Sequence, residues 1–217
     1  MAKQPSTIGA STYQQIKRDI IFGELEPGSK LKLETLRKRY EASLSTLRET
    51  LNRLASDGFV EAPEQRGFLV KPVSKEDLKE IADLRALIEC HALELSVENG
   101  DTEWEGNLVA AHHKLHLMEK KLLGGDETGK EDWKRYDFEF HKALISACNS
   151  ENLMAIHEIV FDKYLRYQML VLTYRGQEAV DEHKAIFDAA IARDSKSANR
   201  MLRQHIKKGL EHSLDAF

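Results

Sequence analysis

The 217-residue chain is poor in cysteine, proline and tryptophan, with two, four and two of each. Cys90 and Cys148 are too few and too far apart for a disulfide framework or a cysteine-based zinc motif, which suits a reducing compartment and leaves both as buried apolar fillers. No run of 18 apolar residues occurs, and the opening Met1-Ala2-Lys3-Gln4-Pro5-Ser6 lacks the apolar stretch of a signal peptide. These absences lead us to expect a soluble, cytoplasmic protein with no membrane partner. Internal repeats, low-complexity tracts and a glycine-rich phosphate loop after a strand are also missing. What is present, 41% hydrophobic and 31% charged residues, is enough to bury one or two cores beneath a solvated surface.

Charge and proline are both unevenly spread. The formal net charge of -4 argues at first against nucleic acid, whose phosphates are bound largely by Lys and Arg. Residues 1–73, however, carry +3 and the remainder -7. All four prolines (Pro5, Pro27, Pro63, Pro72) fall in the first 72 residues, and the proline-free remainder can form long helices, since an interior proline removes a helix hydrogen bond. The reading is therefore a flexible tail over 1–10, one domain over 11–73, and an all-α antiparallel helical bundle over 74–217. Ser74 and Asp77 form a variant capping box, after which Leu78, Ile81, Ala82, Leu84, Ala86, Leu87 and Ile88 give a wide apolar face at helical spacing. Helical periodicity recurs from about Glu103 to Leu123, Asp132 to Cys148, Leu153 to Tyr174, Glu178 to Ala192 and Ser197 to Leu214. Gly124-Gly125, Asn149-Ser150, Gly176 and Asp194-Ser195 separate these segments.

In the first domain, Ile16, Ile20 and Ile21 mark an amphipathic helix over Thr12 to Phe22, with Gly23, Pro27 and Gly28 as the turn after it. Further helices follow over Leu33 to Tyr40 and Ser43 to Ser56, the latter burying Leu47, Leu51 and Leu54. Phe59-Val60-Glu61 and Gly67-Phe68-Leu69-Val70 read as short strands around a loop. Three helices and a hairpin in this order spell a winged helix-turn-helix. Its third helix would enter the major groove by its N-terminal end, facing DNA with Ser43, Ser45, Thr46 and Arg48. Small hydroxyl residues let the backbone approach phosphate, and an arginine in the first turns reaches a guanine edge or a phosphate. Taken singly, Ser43 also reads as an ordinary N-cap and Arg48 as a solvated helix face.

Pro27-Gly28-Ser29-Lys30-Leu31, the run Thr46-Leu47-Arg48-Glu49-Thr50-Leu51-Asn52-Arg53-Leu54-Ala55-Ser56-Asp57-Gly58-Phe59-Val60, and Arg66-Gly67-Phe68-Leu69-Val70 together resemble the GntR family of bacterial transcription regulators. The resemblance implies contacts with a double-stranded DNA operator by Ser43, Ser45, Thr46, Arg48 and the wing pair Arg66-Gly67. Many relatives carry arginine where this chain has Glu34 and Leu44, so part of their DNA contacts does not transfer. Lys32, Arg37, Lys38 and Arg39 are candidate replacements.

The acidic bundle holds all nine histidines. Asp137 and His141, four apart on one helix face, can share a metal ion, and His183 and His205 sit on two later helices. Spacing alone does not select these four, since His112 and His116 form another such pair and His157-Glu158 imitates the start of a zincin motif. That motif fails, because Phe161 stands where its second histidine would fall. Residues 74–217 resemble the FCD effector domain of the FadR-type branch of the same family, whose metal-binding members carry Asp-x-x-x-His in one helix and one histidine in each of two later helices. The resemblance implies a divalent ion, zinc first with nickel or another transition metal as alternatives, held by Asp137, His141, His183 and His205. It also implies that Arg85 faces a small carboxylate effector, with Arg166 a weaker candidate. The chain then reads as a homodimeric regulator, a repressor rather than an enzyme, whose effector is a dicarboxylate or hydroxy acid. A metal-dependent hydrolase with a fused helical module, or a purely structural metal, are the competing readings.

Overall fold

The computed structural model describes residues 8–64, 67–171 and 174–216. The chain divides into two compact units, Met1–Ser74 and Lys75–Phe217.

The first unit contains α1 (Ile8–Ile21), β1 (Lys30–Leu31), α2 (Leu33–Tyr40), α3 (Leu44–Ser56), β2 (Val60–Glu61) and β3 (Phe68–Val70). Ile8 to Ala10, read from the sequence as part of a flexible tail, instead open α1. Ile16, Ile20, Leu47, Leu51 and Leu54 are fully buried, because a stripe at helical spacing on α1 meets the stripe of α3. Each fully buried Leu or Ile contributes about 1.5–3 kcal/mol, enough to fix three short helices that would not persist alone. The turn between α2 and α3 passes through Glu41 at φ 51°, a left-handed conformation uncommon for a residue with a Cβ. Ser43 then caps α3, its Oγ accepting from Thr46 N at 3.1 Å.

A third strand was not legible in the sequence. The antiparallel sheet has order β1-β3-β2, with Lys30 opposite Leu69 and Val60 opposite Val70. At two residues, β1 is too short to show an alternating pattern.

The second unit consists of α4 (Lys75–Asn99), α5 (Thr102–Leu123), a 3-10 turn over Glu127–Gly129, α6 (Lys130–Leu144), α7 (Glu151–Val171), α8 (Gln177–Ile191) and α9 (Ser195–Ala216). The six helices are those the periodicity calls for, with ends displaced by up to four residues. The largest displacement is in α6, which stops at Leu144; residues 145–148 form turns and Asn149 reverses the chain at φ 56°. Leu93, Leu108, Leu115, Phe140, Leu144, Ile186 and Leu202 form the fully buried centre. Two apolar positions expected inside are not: Leu84 and Leu87 are 44% and 64% exposed, while Arg85 between them is buried. A wide apolar face on one helix cannot all be covered by two neighbours. Here α4 turns inward an ion pair of its own, Arg85 with Glu89 one turn along the same helix.

Candidate DNA interface and metal centre

In the first unit, Ser43, Ser45 and Arg48 are exposed or half-buried at the start of α3, and so is Thr46. The three hydroxyls form a cluster, with Ser43 Oγ 2.8 Å from Ser45 Oγ and 2.9 Å from Thr46 Oγ1. Their small side chains leave the α3 N-terminus open, where unpaired backbone N–H groups and the helix dipole favour a phosphate. Gly67 adopts φ 77°, a conformation any side chain would strain, so glycine is what lets the chain turn tightly at the wing. Arg66 lies outside the described residues. Of the replacement cations considered, Arg39 is engaged with Asp19 at 2.6 Å and Glu24 at 3.5 Å, and Arg37 with Glu34 at 3.2 Å. Replacing Arg48 with Ala should weaken binding to a cognate promoter fragment by about 1–3 kcal/mol, the value of one good base or phosphate contact, with far-UV circular dichroism unchanged. Unaltered mobility shifts at moderate salt would remove Arg48 from the interface.

In the second unit, α6 supplies Asp137 and His141, α8 supplies His183 and α9 supplies His205. One ligand atom from each lies within 4.8 Å of the other three, and all four residues are buried. Each imidazole is held from behind by a glutamate on another element. His141 Nδ1 is 3.0 Å from Glu89 on α4, His183 Nδ1 is 2.6 Å from Glu119 on α5, and His205 Nδ1 is 2.8 Å from Glu182 on α8. For His141 and His183 the carboxylate on Nδ1 fixes the tautomer and aims Nε2 at the common centre, while His205 Nδ1 also lies 3.1 Å from the Arg175 guanidinium. Among the described residues, the buried Nε2 of His141 has no hydrogen-bond partner, and that of His183 faces only Asp137 Oδ1, at 3.3 Å and out of line. Leaving such atoms unsatisfied is costly, and an electrophile at the centre of the cluster would satisfy them together. The donor set, three neutral imidazoles and one carboxylate, therefore fits a divalent transition ion.

The electrostatics agree. Burial alone would raise the Asp137 carboxyl, but the Lys134 ammonium at 3.6 Å and the neighbouring imidazoles hold it well below the usual carboxylate range. Burial pushes His141 down and His205 well down, keeping both neutral as ligands must be. His183 goes the other way. Burial opposes its charge, yet Asp137 Oδ1 at 3.3 Å and Glu119 lift it to about 9. In the metal-free chain a proton on this ring takes the place of the ion's charge.

Beside the cluster is a small polar cavity of about 30 Å³. Arg85 lines it, stacked 4.3 Å from the Phe161 ring and 4.7 Å from the Tyr164 ring. Its guanidinium donates to both oxygens of Glu89, at 3.0 and 3.4 Å. Glu89 thus holds both Arg85 and the ligand His141, and its Oε1 also meets His157 Nε2 at 2.7 Å. Lys134 and Arg175, neither singled out from the sequence, complete a wall of three cations. Gly209 on α9 gives this wall its space: a Cβ there would lie 2.9 Å from the Tyr164 hydroxyl. Arg166 does not line the cavity. His112 stacks on Phe187 at 4.2 Å and His116 at 6.1 Å, so this pair belongs to an aromatic stack and not to the ligand cluster.

A winged helix-turn-helix joined to a second, helical domain built around buried histidines defines a DNA-binding transcriptional regulator. The sequence comparisons specify it further. Residues 9–70 match the bacterial regulatory proteins of the gntR family and residues 80–208 match the FCD domain, so the chain belongs to the GntR family, with an FCD domain as its second unit. It is 36% identical to the HTH-type transcriptional regulator BphR of Paraburkholderia xenovorans, over 92% of this chain and 82% of that protein. It is 32% identical to the HTH-type transcriptional repressor GlaR of Escherichia coli, over 89% and 90%. Among solved structures, E. coli McbR/YncC shares the fold with a TM-score of 0.82 at 20% identity, covering 97% of this chain and 99% of that one. These relatives are regulators, and the hydrolase reading is set aside.

Proposed function

We propose that the chain is a homodimeric, metal-containing repressor whose affinity for its operator is set by a small carboxylate bound beside the ion. The observation that carries this reading is the joining of two recognition elements through one side chain. Glu89 fixes a metal ligand, His141, with one oxygen and both oxygens accept from the cavity arginine, Arg85. Asp137, His141, His183 and His205 would hold the ion, zinc or another transition metal, which supplies a Lewis-acidic position for a carboxylate oxygen. Arg85 offers a planar donor fork suited to the same carboxylate, and Lys134 and Arg175 add charge at the cavity wall.

The size of the cavity supports a switch. At about 30 Å³ it has room for a water or two and not for a multi-carbon acid. Binding must therefore move wall side chains or the helices that carry them, and a ligand that fits only the moved arrangement shifts the population toward it. A repressor's role accords with GlaR, and a homodimer with the exposed Leu84 and Leu87 and with the gain in affinity when two winged helices engage one palindrome.

The test is a thermal-shift screen of small dicarboxylates and 2-hydroxy acids against the zinc-loaded chain. An effector at a hundredfold excess over its Kd should add about 2.7 kcal/mol of stability. The same acid should lower affinity for a promoter fragment, and the Arg85→Lys variant, which keeps the charge but loses the fork, should respond far less. If chelation melts the second unit while no acid changes Tm or DNA affinity, the ion is structural and the sensing role is lost.

A further inference from the structure

The wing and the α3 N-terminus border a shallow groove lined by Lys30, Lys32, Glu34, Leu44, Arg48 and Gly67. Duplex DNA presents about two phosphate charges per base pair, and binding without compensating cations is weak. The groove is oddly equipped for this. On the exposed first turns of α3 the only cation is Arg48; Leu44 there is apolar and 37% exposed, and Glu34 across from it is acidic. Arg37 and Arg39 on α2 are already held by Glu34, and by Asp19 and Glu24.

Lys38 on α2 is exposed too but does not line the groove, which leaves Lys30 and Lys32. Both are exposed, and neither has an ion-pair partner among the described residues. Their placement follows from the strand that the sequence did not reveal. Leu31 between them is 4% exposed and anchors β1 in the core, so the period-two alternation of extended chain sends residues 30 and 32 to the same outer side. The backbone at Lys32 is still extended, at φ -78° and ψ 117°, before α2 begins. Lys30 pairs with Leu69 of the wing strand, and its Cε lies 4.0 Å from where a Cβ on Gly67 would stand. The stem of Lys30 therefore passes beside Gly67, and both line the groove with Arg48.

We propose that Lys30 and Lys32 form a phosphate clamp that grips the DNA backbone between the wing and the recognition helix, supplying charge that Glu34 and Leu44 withhold. A phosphate contact is sequence-independent, so its signature is salt dependence rather than operator choice. The experiment measures binding of the full chain to a random-sequence duplex of about 30 base pairs by fluorescence anisotropy between about 50 and 300 mM salt.

In Lys30→Gln/Lys32→Gln, the slope of log affinity against log salt should become shallower by about 1.8 for each winged helix on the duplex, from about 0.9 per lost contact, and so by about 3.6 for a homodimer with both engaged, with binding at about 0.1 M salt roughly fiftyfold weaker for each winged helix. The Lys30→Arg/Lys32→Arg variant should keep the original slope. Lys120→Gln/Lys207→Gln, which removes the same charge from exposed positions of the second unit, serves as the control. A clamp variant with the wild-type slope, or a control that flattens the slope as much, overturns the proposal, since the lysines would then act only through net charge or not at all.

Discussion

Substituting Asp137 and His141 together with Ala should leave the purified protein without bound transition metal, where the parent carries about one ion per chain by elemental analysis. Two of four ligands disappear from one helix turn, and the remaining His183 and His205 cannot make a closed tetrahedral site. Because Asp137 also faces the buried Lys134 and His141 the buried Glu89, the variant will be less stable, so the measurement is made where circular dichroism shows it still helical. Retention of a full equivalent would place the ion elsewhere. The parent site should also respond to pH in a defined direction. With His183 lifted to about 9 in the metal-free chain, an entering ion must displace its proton at any lower pH. The apparent affinity should therefore fall about tenfold for each unit by which pH drops below that value, and level off above it. Replacing Glu119 with Gln removes the carboxylate that favours this proton and that aims the ring, so metal affinity should fall about ten- to a hundredfold at neutral pH while the slope becomes shallower.

The second large effect concerns Arg85 and Glu89. Removing either partner of a buried ion pair leaves the other charge without compensation, which costs about 3–5 kcal/mol. Glu89→Leu should therefore lower Tm by roughly 6–20 °C in a chain of this size, at about 2–4 °C per kcal/mol. Arg85→Met should do nearly as much, since burial then acts on an isolated carboxylate whose low pKa depends on that guanidinium and on the imidazoles of His141 and His157. The double variant should be clearly more stable than the sum of the two losses implies, with a coupling of up to about 3 kcal/mol. Recovery will be incomplete, because His141 Nδ1 and His157 Nε2 still lose their acceptor. Strict additivity of the two substitutions in chemical denaturation would show that the pair is not energetically joined, and with it would go the idea that metal and carboxylate sites communicate through Glu89.

The centre of this site was only half legible in the chain. Asp137 and His141 announce themselves by a spacing of four, but His183 and His205 do so only through likeness to a known domain, with His112 and His116 offering a rival pair of the same spacing. The glutamates that aim the three imidazoles gave no signal. Glu89, Glu119 and Glu182 are ordinary acidic residues in helical segments, and they lie 52, 64 and 23 positions from the rings they hold. Lys134 and Arg175 were similarly hidden among many surface charges, as was the two-residue strand that aligns Lys30 and Lys32.

By itself, the sequence determined what depends on local physics. Apolar spacing dictated nine α-helices among the described residues, chain-reversing residues such as Asn149 and Gly176 set their ends, and the order of helices and hairpin in the first unit marked a DNA-binding head. Tertiary structure decided which polar groups were to be buried together. It turned Arg85 inward and Leu84 and Leu87 outward, and it gave each ligand imidazole a carboxylate. The reason is that a helix's own periodicity specifies a face but not the angle at which that face meets its neighbours; Arg85 finds its partner one turn along its own helix, but the buried imidazoles find their carboxylates only where distant segments arrive at one point.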